Sequence, residues 1–294
     1  MLTAAGLTAN LFGQRILPIG TLYDPFIARG LDALTYGCYQ NSRFLVVSTP
    51  SGVTLAPEGG AHQSINSPLI GMSQPGLVYL EPSYIDELQV MMSWALQYMQ
   101  APGATGGSVY LRLSTRVLPQ PSREMTPALR DHILRGAYFH TELSDSGSGG
   151  KLLPLALPSA ASKVCIAFVG AVAPEALAAS ERLVAQLGKD SVSLLQVTSA
   201  DVLHEDYHTN GDNHQSHIQE LFKDLPRDCV LLTAIDGSPT TLAWLGAVKG
   251  HKCLSHGVTQ FGQCGDVTAL YEHFQLDTDS LVHRVLSYVN KSAL

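Results

Sequence analysis

A single histidine in a glycine-rich loop is the first residue in this chain placed to do chemistry. Residues 50–65 read Pro-Ser-Gly-Val-Thr-Leu-Ala-Pro-Glu-Gly-Gly-Ala-His-Gln-Ser-Ile, and His62 follows a clean apolar strand pattern, Phe44-Leu45-Val46-Val47-Ser48. Open α/β sheets bind ligands in loops at the carboxyl ends of their strands. A Glu-Gly-Gly-Ala-His run there can bring both backbone and imidazole against a ligand. A second set precedes it. In Tyr23-x-x-Phe26-x-x-Arg29-x-x-Asp32 the last three residues share one helical face at three-residue spacing. An aromatic near the amino end of a helix that follows a strand can stack on a planar heterocycle. The plainer alternatives are that Phe26 is core and His62 a surface histidine.

Two further constellations carry less. Gly170-Ala171-Val172-Ala173-Pro174-Glu175 reads as strand–turn–helix and could receive an anion at the helix start, although a packing turn explains it better. His204, His208, His214 and His217 lie close in sequence, and the last two could share a metal. The residues between them, Asp206 to Asn213, spell a solvated loop, which argues against a metal centre. No Gly-x-Ser-x-Gly elbow, Walker sequence or dinucleotide fingerprint is present, so the commonest hydrolase, nucleotide-hydrolase and Rossmann chemistries are excluded.

The elements that position these residues alternate. A helical segment over Leu2–Phe12, stopped by Gly13, precedes a short strand over Arg15–Gly20. A helix over Tyr23–Tyr39, strands over Phe44–Ser48 and Leu77–Leu80, a helix over Tyr84–Met99 and a strand over Ser108–Ser114 follow. Pro119, Pro121 and the run Ser144-Asp145-Ser146-Gly147-Ser148-Gly149-Gly150 mark a linker. The pattern then restarts: strands over Val164–Val169, Val192–Val197 and Cys229–Ile235, and helices over Pro174–Leu187, His214–Phe222, Thr240–Val248, Val267–Phe274 and Ser280–Val289. The expectation is an α/β protein of two three-layer domains with mostly parallel sheets. Residues 1–116 form the first domain, 117–160 the linker and 161–294 the second.

Composition narrows the partners. With 294 residues, 45% of them hydrophobic and 15% charged, there is material for two well-buried sheets. A net charge of −7 without a basic run argues against nucleic acid. Five cysteines without a Cys-x-x-Cys pair suggest buried free thiols. The absence of a signal-peptide pattern or an apolar stretch long enough to span a bilayer leads to the expectation of a cytoplasmic protein without membrane contact.

In order and spacing, Tyr23-x-x-Phe26-x-x-Arg29-x-x-Asp32, then Gly59-Gly60-Ala61-His62-Gln63, then Glu81-Pro82-Ser83 after a strand, resemble the transketolase superfamily of thiamine-diphosphate enzymes. Within it the chain is most similar to the homodimeric decarboxylating component of pyruvate dehydrogenase. The further likenesses are Gln196-Val197-Thr198-Ser199-Ala200-Asp201, Val258-Thr259-Gln260-Phe261-Gly262-Gln263 and Phe274-Gln275-Leu276-Asp277. The resemblance implies a pyrimidine-binding domain followed by a transketolase C-terminal-like domain. It implies that the cofactor's aminopyrimidine stacks on Phe26 with Tyr23 packed nearby, that Arg29 joins them as a cofactor-binding residue, and that His62 is catalytic. The implied activity is decarboxylation of a 2-oxoacid such as pyruvate, with transfer of the acyl group to a lipoyl acyltransferase partner. The alternatives are a transketolase or deoxyxylulose-phosphate synthase acting on sugar phosphates, or an inactive dimerisation and docking fragment. Phosphate-binding side chains would mark the sugar-phosphate enzyme, and Arg112, Ser114 and Arg116 are the nearby candidates.

The resemblance also implies what is missing. The family's activating glutamate falls about three helical turns before Gly6, ahead of Met1. The domain that binds the diphosphate through Mg²⁺ has no counterpart here either. Gln63-Ser64-Ile65 stands where pyruvate dehydrogenases carry more acidic and histidine residues. The expectation is therefore a fragment, inactive alone, that self-associates as a homodimer or joins a separate diphosphate-binding domain.

Overall fold

The computed structural model describes residues 1–144 and 152–292; most of the glycine-serine run, 145–150, lies outside them. The first domain begins with α1 (Leu2–Gly6) and α2 (Thr8–Phe12), two short helices where one was expected, and Gly13 ends the second in the left-handed conformation at φ 74°. β1 (Ile19–Leu22) starts later than expected, because Pro18 has no N–H to give a ladder. The helix expected from Tyr23 is split. Asp24–Ile27 form a tight 3-10 turn with Pro25 inside it, and α3 (Leu31–Tyr39) starts only after Gly30. Phe26 therefore sits on the turn and Asp32 on the first turn of α3, rather than on one continuous helical face.

β2 (Leu45–Ser48), α4 (Ser67–Ser73), β3 (Leu77–Leu80), α5 (Ile85–Tyr98) and β4 (Ser108–Arg112) complete a four-stranded parallel sheet in the order β1-β2-β4-β3. Glu87 caps α5 by accepting hydrogen bonds from the backbone N–H groups of Ser83 and Tyr84, at 2.8 and 3.1 Å.

The span expected as a linker contributes to the second sheet. Thr126 caps α6 (Pro127–Leu134), and β5 (Ala137–Phe139) joins the sheet's edge antiparallel to a later strand. A strand in that sense needs no crossover helix. A short hairpin, β6 (Glu142–Ser144) with β7 (Leu152–Pro154), follows.

The second domain continues through β8 (Val164–Val169), α7 (Ala173–Leu187), β9 (Val192–Val197), α8 (Ala200–Asn210), α9 (His217–Phe222), β10 (Val230–Ile235), α10 (Thr240–Ala243), β11 (Cys253–His256), α11 (Val267–His273) and α12 (Thr278–Ser292). Its sheet runs β11-β10-β8-β9-β5, parallel except at β5. β8, β9 and β10 are buried at every position, as a sheet covered on both faces requires. The period of two is explicit in β8. Val164, Ile166 and Phe168 pack with Ala176 and Leu183 of α7 and Val285 of α12, whereas Cys165, Ala167 and Val169 pack with Leu203 of α8 and Phe222 of α9. Three of the five cysteines are buried free thiols, but Cys253 is half-buried and Cys264 exposed.

α8 corrects the expectation of a loop through Asp206. Ser199 caps it by accepting from the Val202 N–H at 3.0 Å, and Ala200 and Leu203 are fully buried against the sheet. Its next residue, Asp201, accepts a hydrogen bond from the Tyr79 N–H of the first domain at 3.0 Å. Burial pushes the Asp201 carboxyl up to about 7. The folded protein thus holds this proton more tightly than the unfolded chain does. Its contribution to stability is complete below about pH 4, the ordinary aspartate range, and is lost as pH rises through 7. Asp201→Asn keeps an oxygen for Tyr79 and removes the buried charge. The variant is expected to melt at a higher temperature than the parent at pH 8 and at nearly the same temperature at pH 4; earlier melting at pH 8 would overturn this account.

Candidate functional site

Tyr23 follows β1 directly and organises the carboxyl edge of the first sheet. Its ring meets Phe26 edge-on at 5.3 Å and lies 5.8 Å from the His62 ring. Its hydroxyl donates to Glu58 Oε2 at 3.0 Å. Burial and the Glu58 carboxylate together push the phenol up to about 12, so Tyr23 remains a hydrogen-bond donor at neutral pH. Glu58 Oε2 also lies 3.6 Å from His62 Nδ1, with both side chains about half exposed. The Arg29 guanidinium carbon stands 4.7 Å above the Phe26 ring. Tyr23, Phe26, Arg29 and His62 therefore gather at one edge. Asp32, exposed on α3, makes no hydrogen bond or ion pair with them among the described residues.

Glu58 was not anticipated as a site residue. Its signal is the spacing of four between Glu58 and His62, which matters only once the loop folds back on Tyr23. The chemical consequence is direct. A carboxylate beside Nδ1 favours the tautomer protonated there and leaves Nε2 as the basic nitrogen.

The glycines serve the second domain as much as any ligand. The Gly60 N–H donates to the Gly262 carbonyl at 3.0 Å, and Gln63 Nε2 donates to the Gln263 carbonyl at 3.0 Å. Gly59 has φ +62°, and a Cβ there would stand 2.5 Å from Cys264 Sγ. The loop is thus seated on residues 262–264, which fixes where His62 projects.

Behind this edge lies a buried ionic cluster. Arg112, 1% exposed, donates through Nε to Asp24 Oδ2 at 3.2 Å, through Nη1 to Glu81 and through Nη2 to the Asp236 carbonyl at 2.8 Å. Asp24 also accepts from the hydroxyls of Ser64, Ser67 and Tyr110. The Asp236 carboxylate accepts the backbone N–H groups of Val53 and Thr54. Burial raises the carboxyls of Glu81 and Asp236 above the usual range, against the pull of Arg112. Arg116 pairs with Glu175 at 2.6 Å and lies over the Tyr271 ring. Ser114 bonds Thr54 at 2.8 Å. The three side chains considered for phosphate binding are therefore engaged within the domain joint.

The same joint accounts for the glycine turn after β8. In the second sheet the strand order reverses between β8 and β10, and ligands ordinarily enter at such a reversal. Here the first domain fills that crevice. Ser83 donates to the Gly170 carbonyl at 2.8 Å, and Asp236, just beyond β10, holds the 52–54 loop. Gly170 has φ +66°, and a Cβ there would meet Glu81 Oε1 at 2.5 Å. It is a packing turn.

The four histidines of the other constellation do not converge. His217 is fully buried, its Nε2 donating to the Ala137 carbonyl at 2.9 Å, and burial lowers it to about 4. His204 meets Trp244 edge-on, and His214 hydrogen-bonds Gln219. Among the described residues, no group of three or more metal-ligating side chains converges.

No protein-family model matches the chain. In sequence it is similar to a pyruvate dehydrogenase E1 component of Corynebacterium glutamicum, 24% identical over 153 residues, which are 51% of this chain and 16% of that protein. In structure it is similar to transketolase from Leishmania mexicana, with a TM-score of 0.70 and 17% identity over 94% of this chain and 34% of that one. Transketolase from Campylobacter jejuni gives 0.69 at 16% identity, over 92% and 36%. A split-gene transketolase described as an inactive beta4 tetramer gives 0.64 at 17% identity, over 96% and 79%. The fold is therefore transketolase-like, built of two α/β domains. The chain spans about a third of the length of the first two transketolases. No helix among the described residues is long and apolar enough to cross a membrane.

Proposed function

We propose that this chain supplies the pyrimidine-side half of a thiamine-diphosphate site in an enzyme that decarboxylates a 2-oxoacid, pyruvate in the first instance, and passes the acyl group to a lipoyl acyltransferase. The observation that carries this reading is Tyr23 touching both Phe26 and His62, with Glu58 bound to Tyr23 and beside His62. The half-buried Phe26 ring suits a planar heterocycle, and Arg29 already lies against one face of it. When bound, thiamine diphosphate supplies the electron sink for decarboxylation.

This chain's own residues then hold and place. Phe26 and Tyr23 fix the ring, Arg29 covers it, and the 262–264 contacts keep the His62 loop in position. Glu58 favours the proton on Nδ1 of His62, so that Nε2 can take a proton from, or return one to, the substrate. Mg²⁺ and the diphosphate fall to a separate diphosphate-binding domain, met through self-association or a second chain in the cytoplasm. The 2-oxoacid is preferred to a sugar phosphate because Arg112 and Arg116 are already neutralised by carboxylates.

The test has two readouts. Thiamine-diphosphate binding is measured calorimetrically with Mg²⁺, on the chain combined with a diphosphate-binding domain, and CO₂ release from pyruvate is assayed in the same mixture. Phe26→Ala is expected to weaken cofactor binding about tenfold, the worth of one aromatic stack. Absence of turnover with every 2-oxoacid, together with unchanged cofactor affinity in Phe26→Ala, would overturn the reading.

A further inference from the structure

The carboxyl end of β11, with Pro239 from the segment after β10, frames a second pocket of about 380 Å³, within the size range of small-molecule sites. It shares no residue with the Tyr23–His62 edge and has no carboxylate in its wall. His256 lines it, 8% exposed, with Nδ1 3.0 Å from the Gln275 carbonyl. A carbonyl can only accept, so Nδ1 carries the hydrogen. Gln275 holds its place in a left-handed conformation, φ 57°, which glutamine seldom adopts. Burial, reinforced by the Arg284 charge, lowers the affinity of His256 for a second proton. The neutral ring therefore offers Nε2 as an acceptor. Arg284, also in the wall, makes no hydrogen bond or ion pair among the described residues. Ser255 and Thr259 add hydroxyls.

An unpaired guanidinium answers an anionic group, and an imidazole locked as an acceptor answers a hydroxyl donor. We propose that this pocket binds a small hydroxylated anion, a hydroxy acid or a phosphate ester of a polyol, with Arg284 taking the anionic group and His256 Nε2 accepting from a ligand hydroxyl. The site is independent of the proposed thiamine-diphosphate half-site.

The full chain is titrated calorimetrically with D-3-phosphoglycerate, with inorganic phosphate as the anion alone and glycerol as the hydroxyl alone. Phosphoglycerate is expected to saturate one site, about tenfold tighter than phosphate, with glycerol undetected. Arg284→Met should weaken it about tenfold and Thr259→Val severalfold, while His62→Ala leaves it unchanged. In histidine ring ¹⁵N spectra the Nε2 of His256 should lose its bare lone-pair signature on saturation. No saturation by about 10 mM, equal binding by Arg284→Met, or loss of binding in His62→Ala would each overturn the proposal.

Discussion

Replacing Arg112 by Met should destabilise this protein by about 3–5 kcal/mol, the usual cost of removing one partner from a buried ion pair. The guanidinium is the cation that pairs directly with Asp24 and Glu81 and acts on the nearby carboxylate of Asp236, and it also reaches across to the Asp236 carbonyl. Met fills a similar volume, so the loss is electrostatic rather than a cavity effect. The pH dependence identifies the cause. Glu81 and Asp236 already titrate above the usual carboxylate range because they are buried. Their contribution to stability is therefore complete below about pH 4 and declines as pH rises through their elevated values. Without Arg112 both rise further, so the variant's deficit should be small near pH 4 and largest at pH 8. Urea denaturation at the two pH values measures this. A loss under about 1 kcal/mol at pH 8, the scale of an exposed pair, would show that the cluster is not what holds the joint.

The second large effect lies at the loop. On the proposed function, His62→Ala should lower kcat by about 10²–10⁴, the range for loss of a positioned acid–base group. Glu58→Gln should cost less, because it leaves the imidazole in place while removing the charge that favours the Nδ1 proton. Gln can still accept from the Tyr23 hydroxyl, so folding should be preserved. The informative measurement is kcat of Glu58→Gln beside that of His62→Ala. Glu58→Gln should lower kcat by about tenfold, because nothing then favours the proton on Nδ1 and Nε2 is less often the free base. Full activity in Glu58→Gln would remove Glu58 from the site. Full activity in His62→Ala would remove the histidine as well.

The legible parts of the fold were those in which local pattern and tertiary burial agree. β8 has an uninterrupted apolar sequence and β9 is broken only by Ser193 and Gln196, and both are buried on both faces, so their limits could be read directly. α8 was hidden because its buried residues are few, Ala200 and Leu203, while most of its remainder is polar. β11 was missed because a four-residue edge strand, Cys-Leu-Ser-His, with alternate residues accessible resembles a loop. Tyr23, Phe26, Arg29 and His62 were grouped by the order and spacing of the motifs that carry the family resemblance; from the residues alone, Phe26 and His62 were separate candidates, each following a strand. Asp24, Glu81, Arg112 and Asp236 could not be grouped. Arg112 lies 88 residues from Asp24 and 124 from Asp236, and no periodicity connects positions so far apart.

The filled crevice between β8 and β10 has a thermodynamic consequence. The second domain's natural docking place holds a guest that never leaves, because the guest is the other half of the same polypeptide. Covalent attachment keeps that guest at a high effective concentration, and each half is stabilised by the other as by any bound ligand. The seam is consequently a poor place for a hinge. Freedom to move at the proposed site belongs instead to the side chains that project from the loop, Glu58 and His62, both about half exposed, while the 262–264 contacts hold the backbone beneath them. The domain joint gives those side chains a rigid base.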